Sequence, residues 1–169
     1  MYFQDFTAYR YGTYYGRDRI ISLEEVRMIG WLENGHNYPT GQVDEQTLFN
    51  LRKCLVIAER AALKYKGFHY CDFCSKGDWT SRPKITFEGK ELFLGSNEIW
   101  LPSANAPELI YSAPNLIYHY IVEHGYLPPD EFLEAVNSFD IASNWSAQKY
   151  TLVEKTRERI RNQEQQINS

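Results

Sequence analysis

Two cysteines, Cys71 and Cys74, are separated by two residues in the segment His69-Tyr70-Cys71-Asp72-Phe73-Cys74. At this spacing, two thiolates can converge on one metal ion without backbone strain. Further along the chain, His119 and His124 offer two imidazoles at an H-x4-H spacing, within the range that zinc ligands use. We therefore expect a structural zinc ion that ties two distant segments together, with Cys71, Cys74, His119 and His124 as its ligands.

The ligand set has alternatives within the sequence. Thiolates suit zinc better than magnesium or calcium, but the two helix histidines converge only if their helix ends or tightens near Gly125. His69 is an alternative ligand, although its position two residues before Cys71 in an extended segment turns its ring away more easily. The competing interpretation is that the cysteines are small buried side chains and that the histidines pack in the core.

Two other chemistries fit the cysteine pair less well. A redox Cys-x-x-Cys lies at a helix N-terminus, where the thiol pKa is lowered, whereas a polar loop at 75–79 follows Cys74. A catalytic zinc needs an open coordination position and a general base such as Glu123. The sequence contains no His-Glu-x-x-His motif. A structural site is therefore favoured, and a zinc-dependent hydrolase that uses a metal-bound water remains the alternative.

The composition favours a cytoplasmic protein. The chain has 169 residues, of which 43% are hydrophobic, enough to bury a core without disulfides. Its three cysteines form no disulfide framework. No apolar run approaches the length that spans a bilayer, and the first residues do not resemble a signal peptide. We expect a reducing compartment and no membrane partner.

The charge and the aromatic content indicate a protein partner. A net charge of -4 argues against a protein that binds the nucleic-acid backbone, whose electrostatic footprint is basic. The thirteen tyrosines supply contact area for a core or an interface. Tyr38 and Trp79 lie in predicted loops, with His36 beside Tyr38, and these three are the candidate partner-binding residues. Trp31 and Trp100 lie in predicted strands, where core packing is expected.

The apolar spacing and turn signals predict an α+β fold: a small, mostly antiparallel sheet packed with helices, plus a C-terminal helix. The predicted strands lie at 26–32, 97–101 and 108–111, with a β-hairpin at 84–94 that turns at Gly89-Lys90. We expect one domain over residues 1–139, carrying the cysteine pair, and a helical extension over 140–169. The first twenty residues are expected to form an ordered arm over the domain.

Capping signals locate the helices. Asp44 caps a helix whose apolar spacing extends through Ala61 and Ala62 towards Tyr65. A second helix is predicted to open at Ser112-Ala113-Pro114 and to end at Gly125, and a third begins at 128–131.

Several motifs in one order give the chain a family resemblance. It resembles a family of small bacterial proteins that carry a domain of unknown function, from residue 2 to about residue 139. The motifs are Trp31-Leu32, His36-x-Tyr38-Pro39-Thr40-Gly41, His69-x-Cys71-x-x-Cys74, Leu94-Gly95-Ser96-x-Glu98-Ile99, Tyr111-x-Ala113-Pro114-x-Leu116-Ile117-Tyr118-His119-Tyr120 and His124-x-Tyr126-x-Pro128-Pro129-x-x-Phe132. The resemblance implies a bacterial, cytosolic, one-domain protein and carries no activity with it.

These observations lead to one functional expectation. We expect a zinc-stabilised cytosolic module that binds and inhibits a protein partner, such as an immunity protein or antitoxin that neutralises its cognate toxin. An acidic surface attracts a protein whose active site is basic, and aromatic side chains on that surface can then cover the active site. We call the segment from Cys71 to Cys74 the cysteine knuckle. Binding of nucleic acid through this knuckle and the aromatic side chains is disfavoured by the net negative charge of the chain.

Overall fold

The computed structural model describes residues 1–10, 23–57, 61–64, 67–74, 82–106, 108–147, 149–150 and 163–167. Within these residues the chain has an α+β fold of seven strands and three principal helices. In chain order they are β1 (Thr7–Tyr9), β2 (Leu23–Met28), α1 (Glu45–Val56), β3 (Ala61–Lys64), β4 (Lys84–Phe87), β5 (Lys90–Phe93), β6 (Asn97–Pro102), β7 (Ile110–Pro114), α2 (Ile117–His124) and α3 (Asp130–Ser138). Residues 163–167 are also helical, so the predicted fold class is confirmed.

The main sheet has five strands in the order β1-β2-β7-β6-β3. Its pairings are antiparallel except for β2 with β7, which run parallel. Strands β4 and β5 form a separate hairpin. The hairpin turns at Glu88-Gly89, one residue earlier than predicted, and both residues have positive φ, as a two-residue hairpin turn of this hand requires.

Both faces of the sheet are covered, because alternate residues of its central strands point to opposite sides. On β6, Ile99 and Leu101 belong to the larger core, which also contains Cys71 and buried side chains of all three helices. Between them on the chain, Trp100 belongs to a second core with Trp31. Both tryptophans are buried, as predicted.

A fully buried carboxylate sits inside the second core. Glu98 accepts hydrogen bonds from the Tyr9 hydroxyl at 2.8 Å, the Trp100 indole at 3.0 Å and the Ser112 hydroxyl at 2.5 Å. A buried carboxylate is tolerated only when its lone pairs are satisfied in this way. Glu98 therefore joins β1, β6 and β7 through side chains as well as through the sheet.

The N-terminal residues lie over the domain as predicted, as far as the structure describes them. β1 pairs with β2, and Phe3 forms a bridge with Trp31. Asp5 accepts hydrogen bonds from the Gly30 amide and the Tyr126 hydroxyl, both at 2.8 Å. Residues 11–20 of the predicted arm lie outside the described residues.

The first helix is shorter than the sequence predicts. α1 ends at Val56, and the predicted continuation through Ala61 and Ala62 is wrong, because Ala61–Lys64 forms the edge strand β3. Alanine, leucine and lysine favour helix locally. Pairing with β6 overrides that preference here.

The second helix begins later than predicted, and one strand ends earlier. Ser112, Ala113 and Pro114 do not open α2; they are the last residues of β7, paired with β6, and Ser112 and Ala113 are fully buried. The predicted strand at 26–32 stops at Met28. At Gly30 the backbone has a φ of +69°, a turn that few residues other than glycine adopt.

The residues after 140 begin by packing on the sheet. Ala147 is buried in the second core, and the Tyr150 hydroxyl donates to Glu25 at 2.9 Å. No helix in the described part of the chain combines the length and the apolar character needed to cross a bilayer.

Candidate metal centre

The cysteine knuckle is held in place by a glycine on the neighbouring segment. The His69 amide donates to the Gly95 carbonyl at 2.7 Å, and the Gly95 amide donates to the buried Asn115 side chain at 2.6 Å. Gly95 has a φ of +98°, and a Cβ there would collide with the His69 carbonyl oxygen. Only glycine allows the two backbones to approach this closely. The Leu94-Gly95-Ser96 motif thus positions the segment that leads into Cys71.

The end of α2 brings its two histidines together. Gly125 caps the helix in the left-handed conformation with a φ of 63°, and its amide donates to the Tyr120 carbonyl. His124 is the last residue of the helix, and its Nε2 lies 3.2 Å from the Nε2 of His119. The sequence predicts that the two imidazoles converge only if the helix ends near Gly125. The helix ends there, and the two rings do converge.

The four side chains form one compact donor set. Cys71 Sγ lies 3.2 Å from His124 Nε2, and Cys74 Sγ lies 3.3 Å from His119 Nε2 and 3.4 Å from His124 Nε2. All four donor atoms lie within 4.8 Å of one another. In a tetrahedral zinc site, an S and an N ligand atom are about 3.6 Å apart and two N atoms about 3.3 Å apart. The cluster has the dimensions of a tetrahedral site and could hold a metal ion.

Burial of the cluster favours the uncharged forms of Cys71 and His119 when no metal is bound. Burial raises the pKa of the Cys71 thiol from 9.0 to about 11, against the opposing effect of the Phe73 and Cys74 amides, which donate to its sulfur. Burial lowers the pKa of His119, and the neighbouring His124 lowers it further. Two thiolates and a divalent cation form a neutral unit with neutral imidazoles, and such a unit is far less costly to bury than separate charges.

The loop between β2 and α1 packs against His124. The Tyr38 hydroxyl donates to the His124 carbonyl at 3.3 Å, while its ring contacts Phe73 and Tyr126 edge to face. The Gly41 amide donates to the Gly125 carbonyl at 3.0 Å. The Leu127 amide donates to the Pro39 carbonyl at 2.9 Å. Residues 38–41 therefore clamp the turn that carries His124.

Three of the other candidate residues, His69, His36 and Tyr38, lie in the described part of the chain. His69, the alternative ligand, is not among the four grouped side chains; it borders a small cavity together with Trp31, Leu32 and Tyr120. His36 is exposed and stacks on Tyr2 at 3.9 Å between ring centroids. Tyr38 is half-buried, and Trp79 lies outside the described residues.

The comparisons with known proteins give a family and no function. The family model for a domain of unknown function, DUF7919, matches residues 1–137. The chain belongs to the DUF7919 family. No curated protein and no solved structure matches it. In this DUF7919 chain the matched region contains the whole donor set, the five-stranded sheet and most of α3.

One part of the centre escaped the sequence reasoning. The sequence places Tyr38 in a loop, because Gly, Pro and Asn surround it, and makes it a candidate for partner binding. In the structure its hydroxyl also donates to the carbonyl of His124, a candidate metal ligand 86 residues away. Thr40, in the same loop, forms an isolated bridge with Tyr126. The identity of its pairing partner could not be read from the sequence.

Proposed function

We propose that this chain is a binding module whose fold is held together by a structural zinc ion. The observation that carries the proposal is the closed set of four donor atoms within 4.8 Å of one another. Two thiolates and two imidazoles are the donors that zinc takes in structural sites. The ion would join the knuckle to the end of α2, two parts of the chain that otherwise meet through a few aromatic contacts.

The same donor set speaks against the alternative, a zinc-dependent hydrolase. Catalytic zinc sites use three protein ligands and leave a fourth position for water or substrate. Here four side chains converge, so a bound ion would have its coordination shell filled by protein. Glu123, the general-base candidate, is exposed on α2. A structural role is the better supported one.

The binding activity we propose is inhibition of a protein, in the manner of an immunity protein or antitoxin that neutralises a cognate toxin. A net charge of -4 and thirteen tyrosines support an acidic, aromatic binding surface. The partner-binding residues we propose are His36, which stacks on Tyr2, and the exposed part of Tyr38. Trp79, the third candidate from the sequence, lies outside the described residues. We place the protein in the cytoplasm, because none of its three cysteines, all of them described, forms a disulfide, which suits a reducing compartment.

Metal analysis of the purified full chain tests the zinc proposal. We expect close to one zinc per chain by mass spectrometry of the digested protein. A matched pair of variants gives the control, since Cys71→Ser removes a donor whereas Cys54→Ser alters a buried cysteine in α1 outside the cluster. Equal zinc content in the two variants would contradict the proposed site.

Expression of the neighbouring gene tests the inhibitor proposal. We expect the product of that gene to arrest growth of a bacterial host, and co-expression of this chain to restore growth. The purified pair should bind with a dissociation constant below the micromolar range. The variant His36→Ala should weaken that binding, while Ser138→Ala, at an exposed position at the end of α3, should not. A harmless neighbour, or a toxic one that this chain neither binds nor neutralises, would refute the inhibitor proposal and leave the zinc site standing.

A further inference from the structure

The four donors of the metal centre differ in their exposure to solvent. Cys71 is 5% exposed and belongs to the larger core. Cys74, His119 and His124 are each half-buried. Solvent therefore reaches Cys74 more readily than Cys71. Because the reactivity of a cysteine depends on its access to the reagent as well as on its charge, Cys74 is the sulfur that an oxidant in solution meets first.

The two cysteines are also placed for a bond with each other. Asp72 and Phe73 form a turn between them, and the first and fourth Cα atoms of such a turn lie less than about 7 Å apart. Disulfides join Cα atoms that are about 4.4–6.8 Å apart. The two sulfur atoms lie within 4.8 Å of each other, so side-chain movement within the turn can join them. The third cysteine, Cys54, lies in α1 and is not a member of the cluster.

Both sulfurs of the cysteine knuckle are thiolates when they hold a metal ion, because a coordinating thiol loses its proton. Thiolates, and not thiols, attack peroxides. In a thioredoxin-like motif a helix N-terminus favours the thiolate, and the polar loop that follows Cys74 in the sequence offers no such helix. Metal binding supplies the same activation here without a helix.

We propose that Cys71 and Cys74 are an oxidation site at which a peroxide converts the metal-bound cysteine pair into a disulfide, with loss of the ion. The proposal rests on the structural zinc proposed above and assigns a regulation to that site. With hydrogen peroxide, the Cys74 thiolate forms an S–O bond as the O–O bond breaks, and the hydroxide that leaves is protonated to water. The Cys71 thiolate then attacks the Cys74 sulfur, so that the S–S bond forms, the S–O bond breaks and a second hydroxide leaves as water.

The reaction balances without a further reactant. Two electrons pass from the two sulfurs to the peroxide, and one peroxide and two protons become two waters. His119 and His124 are then the remaining donors of the cluster, half the number that a structural zinc site uses. The ion should therefore leave, and the junction between the cysteine knuckle and the end of α2 should open. Because a disulfide in a reducing compartment is transient, a thiol reductant together with zinc should restore the centre.

Zinc release from the zinc-loaded full chain tests the proposal. We expect hydrogen peroxide in about tenfold molar excess to release one zinc per chain, measured with a zinc-binding dye. The intact mass should fall by two hydrogen atoms, and peptide mapping should place this loss on the peptide that contains Cys71 and Cys74. Dithiothreitol and added zinc should reverse both changes. Oxidised glutathione at the same concentration should release zinc at least about tenfold more slowly, because the half-buried Cys74 is less accessible to a bulky disulfide.

Three variants provide the controls. Cys54→Ser removes a cysteine outside the cluster and should release zinc at the wild-type rate. Cys74→His keeps a fourth donor but cannot form the disulfide, so peroxide should release its zinc at least about tenfold more slowly. Cys71→His provides the same reading independently if Cys74→His does not fold.

Zinc content before oxidation separates the possible failures. A chain without zinc at the start would contradict both the structural zinc and this inference. Stoichiometric zinc that peroxide does not release would overturn this inference alone. So would release without a disulfide between Cys71 and Cys74, equally fast release from the histidine variants, or faster release by oxidised glutathione than by peroxide.

Discussion

The Nε2 atom of His124 lies 3.2 Å from the Sγ atom of Cys71, although 53 residues separate them in the chain. Strands β4 to β7 and most of α2 lie between the two residues. The contact therefore joins the cysteine knuckle to the C-terminal end of α2, with four strands between them in the sequence.

Loss of one thiolate should remove the metal and lower stability. For Cys71→Ser we expect less than one-tenth of the wild-type zinc content. A ligand present at about 1,000 times its dissociation constant stabilises a fold by about 4 kcal/mol. For a domain of this size, the melting temperature should then fall by about 8–16 °C. Calorimetry measures the fall, and a chelator added to the wild type should reproduce it. An unchanged melting temperature in the chelator would argue that no metal stabilises the fold.

Zinc binding should release protons at neutral pH. With a pKa of about 11, the Cys71 thiol is protonated at pH 7 and must lose its proton to bind the ion. The lowered pKa of His119 means that this ring is already neutral and releases little. Titration calorimetry in buffers of different ionisation enthalpy should detect at least one proton per zinc. The apparent affinity should rise by about tenfold or more per pH unit between pH 6.5 and 8, and a flat profile would contradict this.

The stability of the metal-free protein should fall as the pH rises, whereas the zinc affinity should increase. Because the pKa of Cys71 is higher in the folded chain than its ordinary value of 9.0, the folded state holds this proton more tightly than the unfolded state does. Its contribution to stability is present below pH 9.0 and is lost as the pH rises towards about 11. Urea unfolding of the chelated protein at pH 7, 9 and 10.5 measures this. Cys71→Ser is the control and should lose less stability over this range than the wild type. Part of the loss should remain in the variant, because burial also raises the pKa values of Tyr120 and Tyr126.

Removing the Tyr38 hydroxyl should loosen the metal centre without emptying the core. Tyr38→Phe keeps the ring contacts with Phe73 and Tyr126 but loses the hydrogen bond to the His124 carbonyl. We expect a stability loss of about 1 kcal/mol and zinc affinity about 3- to 10-fold lower, at the modest end for a residue that orients a ligand. Competition with a zinc-binding dye measures the affinity. Tyr118→Phe, on the same helix as His124, provides the control, and equal zinc affinity in the two variants would show that Tyr38 does not position the ligand.

Gly95→Ala should displace the knuckle. The substitution places a methyl group against the His69 carbonyl and forces alanine into a left-handed backbone conformation. We expect a loss of about 3 kcal/mol or more, together with reduced zinc content. Gly89→Ala is the matched control, because it has a φ of +75° but open space around it, and should cost about 1 kcal/mol. The two variants would have equal stability if the close approach of the two backbones were unimportant.

The sequence predicted those features whose cause is local. The hairpin around Gly89 and the cap at Gly125 follow from turn and cap chemistry. The spacings of the cysteine pair and of the histidine pair indicated four donors, and the structure brings these four together in a cluster that could hold a metal ion. The prediction of helix at β3 is wrong because alanine favours helix locally, whereas Ala61 and Lys64 pair with β6. The prediction of a helix start at Pro114 is wrong because this residue ends a strand that pairs with β6. The contact of Tyr38 with His124 depends on a pairing between distant loops, which no local pattern contains.

The location of the donor set also fixes when it can form during folding. Cys71 and Cys74 are neighbours in the unfolded chain, whereas β4 to β7 separate them in sequence from His119 and His124. We therefore expect the two histidines to reach the cysteines after β6 and β7 have paired and α2 has docked. Early in folding, a metal ion meets two cysteines that can hold it only incompletely, and the loop-closure entropy of the intervening chain delays the remaining ligands. Complete metal capture is therefore expected to be a late step, after the sheet has assembled. Stopped-flow refolding with cobalt in place of zinc tests this. The absorption of tetrahedrally bound cobalt should appear later than the change in fluorescence that reports burial of the tryptophans.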